Sequence, residues 1–315
     1  MNKRPLGRSG FEVAPLAFGG NVFGWTVDEP TAFRLLDAFV ERGFSLVDTA
    51  DTYNKWVAGH RGGESETIIG NWFAQGGGRR ERVVIATKCG MEMPDVGKGL
   101  SREHILRSVE GSLRRLRTDR IDLYQAHEED GSTPIDETLE AYAKLVREGK
   151  VRAIGASNYS PAGLAAALDR AEKSGLPRYE SLQPRYNLYS REFEKELAAL
   201  CTGRGVGVIP YFPLAAGFLT GKYRTEADLA QSARGAGIKR YMDERGMRIL
   251  AALDEVAKAS RAKAGQVALA WVMARPAVTA PIVSATTLAQ LRESMAAVDL
   301  SLDQAAMDRL DSASA

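Results

Sequence analysis

The chain has 315 residues, of which 44% are hydrophobic and 26% charged, fractions typical of soluble globular proteins. They exclude a disordered, collagen-like or coiled-coil protein. With 42 Lys and Arg against 40 Asp and Glu, the net charge is only +2, so nucleic acid is not an expected partner.

Cysteine content and hydropathy narrow the class further. The chain has only two cysteines, Cys89 and Cys201, which are too few for a disulfide scaffold or a structural zinc site. We therefore predict a cytoplasmic protein without a metal ion. Residues 1–20 lack the apolar core of a secretory signal, and the longest uncharged stretch, 205–221, contains two prolines. We therefore predict no membrane partner.

Near the N-terminus, two β-prone runs border a glycine-containing turn. Residues 4–6 and 11–13 flank Gly7-Arg-Ser-Gly10, a pattern that predicts a small β-hairpin. We expect this hairpin to plug the floor of the larger structure that follows.

Eight further β-prone runs follow, separated by segments with helical periodicity. The first seven runs start 25 to 38 residues apart, so each interval holds one strand and one helix. The interval after the seventh run is longer and predicts a loop insertion over 214–241. The eight runs are 14–18, 45–49, 83–88, 121–125, 151–156, 181–183, 206–211 and 281–283.

The intervening segments carry helix start and stop signals. Thr133-Pro134 opens a segment that ends at Gly149, with threonine as the cap and proline in the first turn. The 101–117 segment is apolar on one face only. Such helices alternating with eight short strands predict a (β/α)8 TIM barrel, with residues 1–315 as one domain. The alternative, an open doubly wound sheet, usually carries G-x-G-x-x-G, which is absent from this sequence.

Polar residues at the carboxyl ends of barrel strands are candidates for catalysis. Asp48 and Tyr53 follow the second run, Lys88 ends the third, and His127 follows the fourth. Taken singly, each has an ordinary structural interpretation: Asp48 as a loop cap or a surface ion-pair member, Tyr53 as a packed aromatic, Lys88 as a solvated strand end and His127 as a core imidazole. Four different ionisable types at neighbouring strand ends predict instead a shared catalytic cup.

These side chains suit proton transfer to a carbonyl oxygen. A phenol is a weak acid at neutral pH, and a nearby ammonium is expected to lower the pKa of Tyr53. Asp48 would keep Lys88 protonated. As a neutral imidazole, His127 would donate a hydrogen bond to the substrate oxygen.

These side chains can donate a proton, but they cannot supply the hydride that reduction of a carbonyl also needs. Polar residues at the ends of the later strands suit the binding of a nicotinamide cofactor, which could supply it. Ser157, Asn158 and Gln183 offer hydroxyl and amide groups that can bind a carboxamide. Asn158 and Gln183 could equally be ordinary polar residues of turns. Tyr211 offers a ring for stacking. After the eighth run, the hydroxyl-rich segment 284–287 precedes a helix, which favours phosphate binding, although these residues would cap the helix in any case.

Together these motifs resemble the aldo-keto reductase superfamily over nearly the whole chain, near its potassium-channel β-subunit-like branch. Several of them occur in the family's order, which makes the resemblance specific. They are the hairpin, Asp48-Thr-Ala-Asp-Thr-Tyr53, Ala86-Thr-Lys88, the histidine after Asp122-Leu-Tyr, Gly155-Ala-Ser-Asn158, Gln183-Pro-Arg-Tyr-Asn-Leu, the Tyr211–Lys222 segment and Val267-Ala-Leu-Ala-Trp271.

The resemblance implies an enzyme that reduces aldehydes or ketones with NADP(H), or with NAD(H) as the alternative. Tyr53 would be the general acid, with Lys88 and Asp48 as the pair that tunes it. His127 would orient the substrate. The implied cofactor-binding residues are Gly20, Asn21, Asp48, Ser157, Asn158, Gln183, Tyr211, Phe212, Leu214, Gly217, Lys222, Arg234, Ser284, Thr286, Gln290 and Glu293.

Two departures from the family pattern concern the adenosine end of the cofactor. Many members carry a lysine or arginine beside the 2′-phosphate, where this chain has Ser-Ala-Thr at 284–286. Arg234, Lys239 or Arg240 in the insertion could supply that charge, so NADP(H) remains the expected cofactor. Ser294 stands where an asparagine often contacts adenine.

The expected substrate is a small carbonyl compound, and Trp25 and Trp56 are predicted to line its pocket, although both could equally be structural. The oligomeric state is left open. One alternative function is a nucleotide-sensing binding module with little turnover. Another is a barrel aldolase in which Lys88 forms a Schiff base with the substrate. The nearby Asp48 disfavours this alternative, because a carboxylate keeps the lysine charged and therefore non-nucleophilic.

Overall fold

The computed structural model describes residues 2–315. At the N-terminus, β1 (Arg4–Pro5) and β2 (Glu12–Val13) pair antiparallel, with Arg4 opposite Val13. Their buried neighbours Leu6 and Phe11 pack with the inward-facing side chains at the start of the barrel strands. The predicted hairpin plug is therefore confirmed.

Eight parallel strands follow in one sheet, ordered along the chain except that the last strand pairs with the first. The two edges meet where Thr279 N donates to Val208 O at 2.8 Å and Ile282 N to Pro210 O at 2.9 Å. The strands are β3 (Ala17–Gly19), β4 (Leu46–Asp48), β5 (Val84–Cys89), β6 (Ile121–Ala126), β7 (Val151–Ser157), β8 (Tyr179–Gln183), β9 (Gly207–Val208) and β10 (Ile282–Val283).

All eight predicted strands are present, and four are shorter than predicted, two of them because of proline. Proline has no N–H to donate to a strand ladder. Accordingly, β3 begins only after Pro15 and Leu16, and β9 ends at Val208, before Pro210. The strand count and connectivity confirm the (β/α)8 TIM barrel.

Helices cover the outside of the barrel, and several begin with side-chain caps. Asp28, Ser101 and Ser160 each accept a hydrogen bond from the backbone N–H three residues on. The helices are α1 (Glu29–Glu41), α2 (Glu64–Ala74), α3 (Arg102–Leu116), α4 (Ile135–Arg147), α5 (Pro161–Ser174), α6 (Leu197–Arg204), α7 (Gly235–Ile238), α8 (Glu244–Ser260), α9 (Ala264–Met273), α10 (Leu288–Ala296) and α11 (Gln304–Ser314).

One predicted cap is wrong. Thr133 does not cap α4, which has Pro134 at its N-cap position and no capping side chain. The Thr133 hydroxyl donates instead to Asp130 Oδ2 at 2.7 Å. Threonine hydroxyls bond to whichever acceptor the local turn brings nearest, and here that acceptor is a carboxylate of the preceding loop.

The apolar core has two parts, and their separation positions the site. The larger part lies between the sheet and the helices. The smaller part fills the lower barrel, where the hairpin packs against Leu46, Ala86 and Leu123. Above this layer the interior is polar, with Asp48 and Lys88 at the strand ends. No helix within residues 2–315 is long and apolar enough to cross a bilayer.

The segment between β9 and α8 contains the predicted insertion. It contains short turns of 3-10 helix over Ala215–Thr220 and Glu226–Gln231, then α7 and a third such turn over Lys239–Tyr241. The insertion lies on the same side of the barrel as the polar strand ends, since it leaves the carboxyl end of β9.

One carboxylate of helix α11 contacts three side chains of the barrel. Asp311 Oδ1 accepts from Trp271 Nε1 at 3.0 Å and also from Arg275. Arg191 Nη2 lies 3.4 Å from the same oxygen. This carboxylate is one of several links between the last helix and the rest of the chain, together with an ion pair and hydrogen bonds from arginines to the last backbone oxygens of α11.

Replacing Asp311 by Ala is expected to lower the free energy of unfolding by about 2 kcal/mol, because buried donors lose their acceptor. Asp308→Ala provides the control, since its carboxylate is exposed and accepts only from Gln304 of the same helix. Urea unfolding followed by circular dichroism measures both. Equal stabilities of the two variants would contradict the assigned role.

Candidate active site

A lysine, an aspartate and a tyrosine meet inside the mouth of the barrel. Lys88, near the end of β5, donates from Nζ to Asp48 Oδ2 at 2.7 Å, to Thr49 O at 2.8 Å and to Tyr53 OH at 2.9 Å. The side chains of Lys88 and Asp48 are 0% and 1% exposed. The structure thus brings together three of the side chains predicted to form the cup.

Asp48 accepts hydrogen bonds on both carboxylate oxygens. Besides Lys88, Oδ2 receives the Tyr53 hydroxyl at 3.3 Å. Oδ1 receives Gln183 Nε2 at 2.9 Å and Gln125 Nε2 at 3.3 Å. A buried ion pair is tolerated only when its remaining hydrogen-bonding capacity is used, and these two amides supply that need.

Gln125 was given no role by the sequence reasoning, although it is fully buried and bonds to Asp48. The available signal was a polar side chain near the carboxyl end of β6 (Ile121–Ala126), two residues before His127. Gln183, predicted as a cofactor contact, uses its amide N–H groups on Asp48. Both glutamines therefore fix the orientation of the carboxylate.

The structure does not lower the pKa of the phenol, so that prediction is wrong. Burial raises the pKa of Tyr53 well above its usual value, and the charge of Asp48 raises it further. Burial also lowers the pKa of Lys88, while Asp48 opposes that change. Because Asp48 neutralises Lys88, the phenol keeps its proton at neutral pH.

His127 lies at the rim of the cup, just beyond β6. Its backbone N–H donates to Cys89 O at 2.8 Å, and its ring centroid is 6.0 Å from that of Tyr53. Burial lowers the pKa of His127 well below its usual value, with further lowering by Lys88 and Lys55. The imidazole is therefore neutral, and its buried Nδ1 has no partner within residues 2–315.

A polar edge continues from His127 around the mouth. Asn158, which has a positive φ of 54°, donates from Nδ2 to His127 O at 2.9 Å and accepts from Tyr211 OH at 2.9 Å. Ser157 Oγ donates to Gln183 O at 2.9 Å. The structure therefore gathers all four residues predicted to hold a nicotinamide into one arc.

Arg185 was also missed by the sequence reasoning. It is exposed beyond the end of β8, and its guanidinium lies 5.7 Å from the ring of Tyr211 and 5.6 Å from that of Phe212. Arginine stacks readily on aromatic rings. Its position depends on the meeting of two distant loops, for which the linear sequence carries no signal.

The residues predicted near the phosphates and adenosine lie farther around the rim. Ser284 Oγ bonds to Asn21 Oδ1 at 2.6 Å, while Gly20 packs against Ser65. Gln290 Oε1 accepts from Thr286 N at 2.9 Å. Glu293 does not stand free, since it pairs with Lys263 at 2.6 Å. A cleft of about 540 Å³ lies beside this region, lined by Gly24, Trp25, Thr26, Val27, Asp28, Thr31 and Thr286.

The three candidate cations of the insertion differ in their partners. Lys239 pairs with Glu226 at 2.9 Å, and Arg240 donates to Tyr241 OH at 2.9 Å. The guanidinium of Arg234 instead lies 5.3 Å from the ring of Trp25, and its buried Nη2 has no partner within residues 2–315. Of the three, Arg234 is therefore the cation with a buried, unpartnered nitrogen beside the cleft.

Other predicted residues of the insertion lie along the same wall. Leu214 precedes a turn in which Gly217 has a φ of 104°. A Cβ at Gly217 would lie 3.6 Å from the Lys222 side chain, and the Lys222 ammonium is 5.0 Å from the Tyr223 ring. Lys222 thus approaches backbone that only glycine adopts readily.

Two tryptophans extend the aromatic wall away from Tyr53. The ring of Trp56 lies 6.3 Å from that of Tyr53 and 5.8 Å from that of Trp25. Trp56 is 50% exposed, which is unusual for so large an apolar side chain. The predicted pocket residues therefore form a continuous surface from the phenol to the cleft.

Comparison with known proteins places this architecture in a family. Residues 15–315 match the aldo/keto reductase family. The chain is 41% identical to the uncharacterized oxidoreductase YrpG of Bacillus subtilis, over 95% of this chain and 91% of that protein. It is 32% identical to protein tas of Escherichia coli, over 96% and 95% of the two chains. It is 33% identical to a probable voltage-gated potassium channel subunit beta of Arabidopsis thaliana, over 95% and 92%.

The chain belongs to the aldo/keto reductase family. The fold and the family membership predicted from the sequence motifs are both confirmed. The family supports an oxidoreductase, and its members generally use a nicotinamide cofactor.

A second carboxyl group lies buried behind Lys88. Asp51 is 2% exposed, and its backbone N–H donates to Lys88 O at 3.2 Å. Burial raises the pKa of Asp51 well above its usual value, and the charge of Glu66 raises it further. Glu66 already accepts from Thr87 at 2.6 Å and Arg115 at 2.7 Å. The Asp51 carboxyl therefore prefers its protonated form.

A raised carboxyl pKa stabilises the folded state fully at acid pH, and that contribution is lost as pH rises through the raised value. Asp51→Asn removes this loss, so the free energy of unfolding of the variant should rise relative to that of the wild type as pH increases from about 4 towards neutrality. Asp119→Asn is the control, because Asp119 is highly exposed. Urea unfolding across this range would contradict the interpretation if the Asp51 difference stayed constant with pH.

Proposed function

We propose that this protein is an NADP(H)-dependent carbonyl reductase in which Tyr53 delivers a proton to the carbonyl oxygen of an aldehyde or ketone. The observation that carries this proposal is the buried contact of Lys88 Nζ with Asp48 Oδ2 at 2.7 Å and Tyr53 OH at 2.9 Å. Proton transfer requires a donor that is protonated before the reaction and stabilised after it, and this arrangement provides both.

Each residue of the cup has a distinct part in the proposed reaction. The high pKa keeps the Tyr53 hydroxyl protonated in the ground state. When the proton leaves, the Lys88 ammonium at 2.9 Å stabilises the phenolate. His127, neutral in its buried position, offers an N–H to the carbonyl oxygen and orients it. A bound nicotinamide supplies the hydride.

The residues around the mouth fit a dinucleotide in two ways. The cleft beside Trp25 has a volume of about 540 Å³, within the usual range for ligand sites. The Arg234 guanidinium beside it retains a buried, unpartnered nitrogen, which favours a phosphate ligand. Ser157, Asn158, Gln183 and Tyr211 would hold the nicotinamide. Lys222 and Thr286 would bind phosphate groups.

An aldolase with Lys88 as a Schiff-base nucleophile is disfavoured. The Lys88 amine lies within 2.9 Å of three oxygens, on Asp48, Thr49 and Tyr53. An ammonium donates three hydrogen bonds and has no lone pair, whereas a nucleophilic amine needs one.

A second candidate function is a nicotinamide-binding module with little turnover. Similarity to the probable potassium channel subunit beta of Arabidopsis thaliana favours this candidate. The two functions differ in rate and not in ligand, so purified protein that binds NADPH but reduces no aldehyde or ketone in a broad panel would select the binding module.

Tyr53→Phe is expected to lower the rate of carbonyl reduction at least about 1000-fold, because the proton donor is lost. NADPH affinity should stay within about twofold of the wild type, since the ring and its packing remain. Stopped-flow absorbance and fluorescence titration measure the two quantities. Near-normal reduction by this variant would refute Tyr53 as the donor.

Arg234→Gln is expected to weaken NADPH binding about tenfold by removing a charged phosphate contact. NADH binding should change much less, because NADH lacks the 2′-phosphate. Lys239→Gln is the matched comparison, since its ammonium already pairs with Glu226. Isothermal titration with both nucleotides measures the effect, and equal losses for NADPH and NADH would rule out contact with the 2′-phosphate.

A further inference from the structure

Two consecutive residues of α2, Ser65 and Glu66, lie against the outside of the barrel behind the Lys88–Asp48 ion pair. Both are 0% exposed, although they stand in the first turn of their helix. Polar side chains are fully buried only when they have hydrogen-bonding partners inside the protein. The partners of these two residues belong to the ends of β4 and β5, the strands that carry the ion pair.

The carboxylate of Glu66 is bonded to β5 directly beside Lys88. Its Oε1 accepts from Thr87 Oγ1 at 2.6 Å. Successive side chains of a strand point to opposite faces of the sheet, so Thr87 points out towards α2 while Lys88 points into the cup. The hydrogen bond therefore holds β5 from the outside, one residue before Lys88.

The hydroxyl of Ser65 is bonded to the residue that follows Asp48. Ser65 Oγ donates to Gly20 O at 2.8 Å and lies 2.8 Å from Thr49 Oγ1. Since a serine hydroxyl has one hydrogen, the Thr49 hydroxyl is the donor in the second contact. The backbone oxygen of Thr49 in turn accepts from Lys88 Nζ at 2.8 Å. Ser65 therefore holds a residue that itself contacts the ammonium.

Backbone hydrogen bonds join the two strand ends at the same level. Asp48 is in register with Ala86, and Thr49 N donates to Ala86 O at 2.8 Å. One residue pair farther on, Asp51 N donates to Lys88 O at 3.2 Å. The 2.7 Å contact between Lys88 and Asp48 thus spans two strands that are tied to each other and, from behind, to α2.

Helix α2 is fixed in turn by α3. Arg115 Nε donates to Glu66 Oε2 at 2.7 Å, so the buried carboxylate is bonded on both oxygens. The two helices approach most closely at Gly70, where a Cβ would lie 2.0 Å from Arg115 O. Close packing of this kind leaves little freedom for one helix to shift against the other. The side chains of α2 therefore present the strands with fixed acceptors.

We infer that Ser65 and Glu66 are positioning residues for the proposed proton transfer. They hold Thr49 and Thr87, and through these two residues they keep the Lys88 ammonium at the distance from which it stabilises the phenolate. This inference rests on the proposed function. Both threonines are 0% exposed, so water does not replace the hydrogen bonds that hold them.

The kinetic test removes each threonine hydroxyl while keeping the shape of the side chain. Thr87→Val and Thr49→Val should each lower kcat for carbonyl reduction about tenfold, because the ammonium is less well placed when the phenolate forms. KM and NADPH affinity should stay within about twofold of the wild type. Thr87→Ser and Thr49→Ser keep the hydroxyl and should restore kcat.

Thr138→Val is the matched control. Thr138 lies on α4 and is 2% exposed, and its hydroxyl donates to Leu100 O at 2.9 Å, outside β4 and β5. The control should lose stability in urea unfolding, as the other two valine variants should, but its kcat should not change. An equal fall of kcat in Thr138→Val would show that kcat only follows stability, and would overturn the inference.

The Lys88 ammonium also gives a readout that does not depend on turnover. Its three hydrogen bonds protect its protons from exchange with water. Full-length protein labelled with 15N-lysine should show this ammonium by 1H–15N NMR, identified by its loss in Lys88→Met. Exchange should be about fivefold faster in Thr87→Val and Thr49→Val, and as slow as in the wild type in Thr138→Val.

The two readouts separate this inference from the proposed function. Wild-type exchange of the Lys88 ammonium in both Thr87→Val and Thr49→Val would overturn the positioning role, whatever their activity. Faster exchange without a fall of kcat in an active enzyme would overturn it as well. Faster exchange in a protein whose wild type reduces no carbonyl compound would instead refute the proposed reductase and leave the hold on Lys88 established.

Discussion

The ion pair between Lys88 and Asp48 is the interaction on which the site depends. Burying two charges is costly unless each is paired and the remaining hydrogen bonds are made. Here Lys88 is shared among three oxygens and Asp48 receives two glutamine amides as well as the phenol. The pair needs a rigid surrounding that places all these partners at once, and a closed barrel provides it.

The barrel provides that rigidity by dividing its interior into two levels. Apolar side chains, including those of the hairpin, fill the lower level and exclude water. The upper level receives polar side chains from the ends of several strands, so that β4, β5, β6 and β8 each contribute one partner to the network. A shift of any strand by one residue would turn its contribution outward, so strand register and chemistry are linked.

Much of this organisation could be predicted from the sequence because it follows from periodicity and local signals. The eight strands, the hairpin and the helix predicted over 101–117 are examples, and the polar residues at strand ends identified the cup. The pKa of Tyr53 could not be predicted correctly, because the sequence does not show how deeply the ring is buried or that Asp48 contacts the hydroxyl.

The sequence also could not show which distant residues become neighbours in the folded chain. The linear sequence offers three cations in the insertion, and only packing shows that Lys239 is paired with Glu226 while Arg234 rests on Trp25. Likewise the polar side chain of Gln125 is visible in the sequence, but its contact with Asp48 is not. In each case the missing information was the identity of the neighbour.

The hairpin that closes the lower end of the barrel limits where ligands can enter and leave. With Leu6, Phe11 and Val13 sealing the lower end, the interior communicates with solvent on one side only. Under the proposed function, a nucleotide and a carbonyl compound would both pass through this one opening, and the larger of the two would line its wall. For an enzyme of the proposed kind, a barrel closed at one end would couple the order in which the two ligands bind and leave to the width of that single opening.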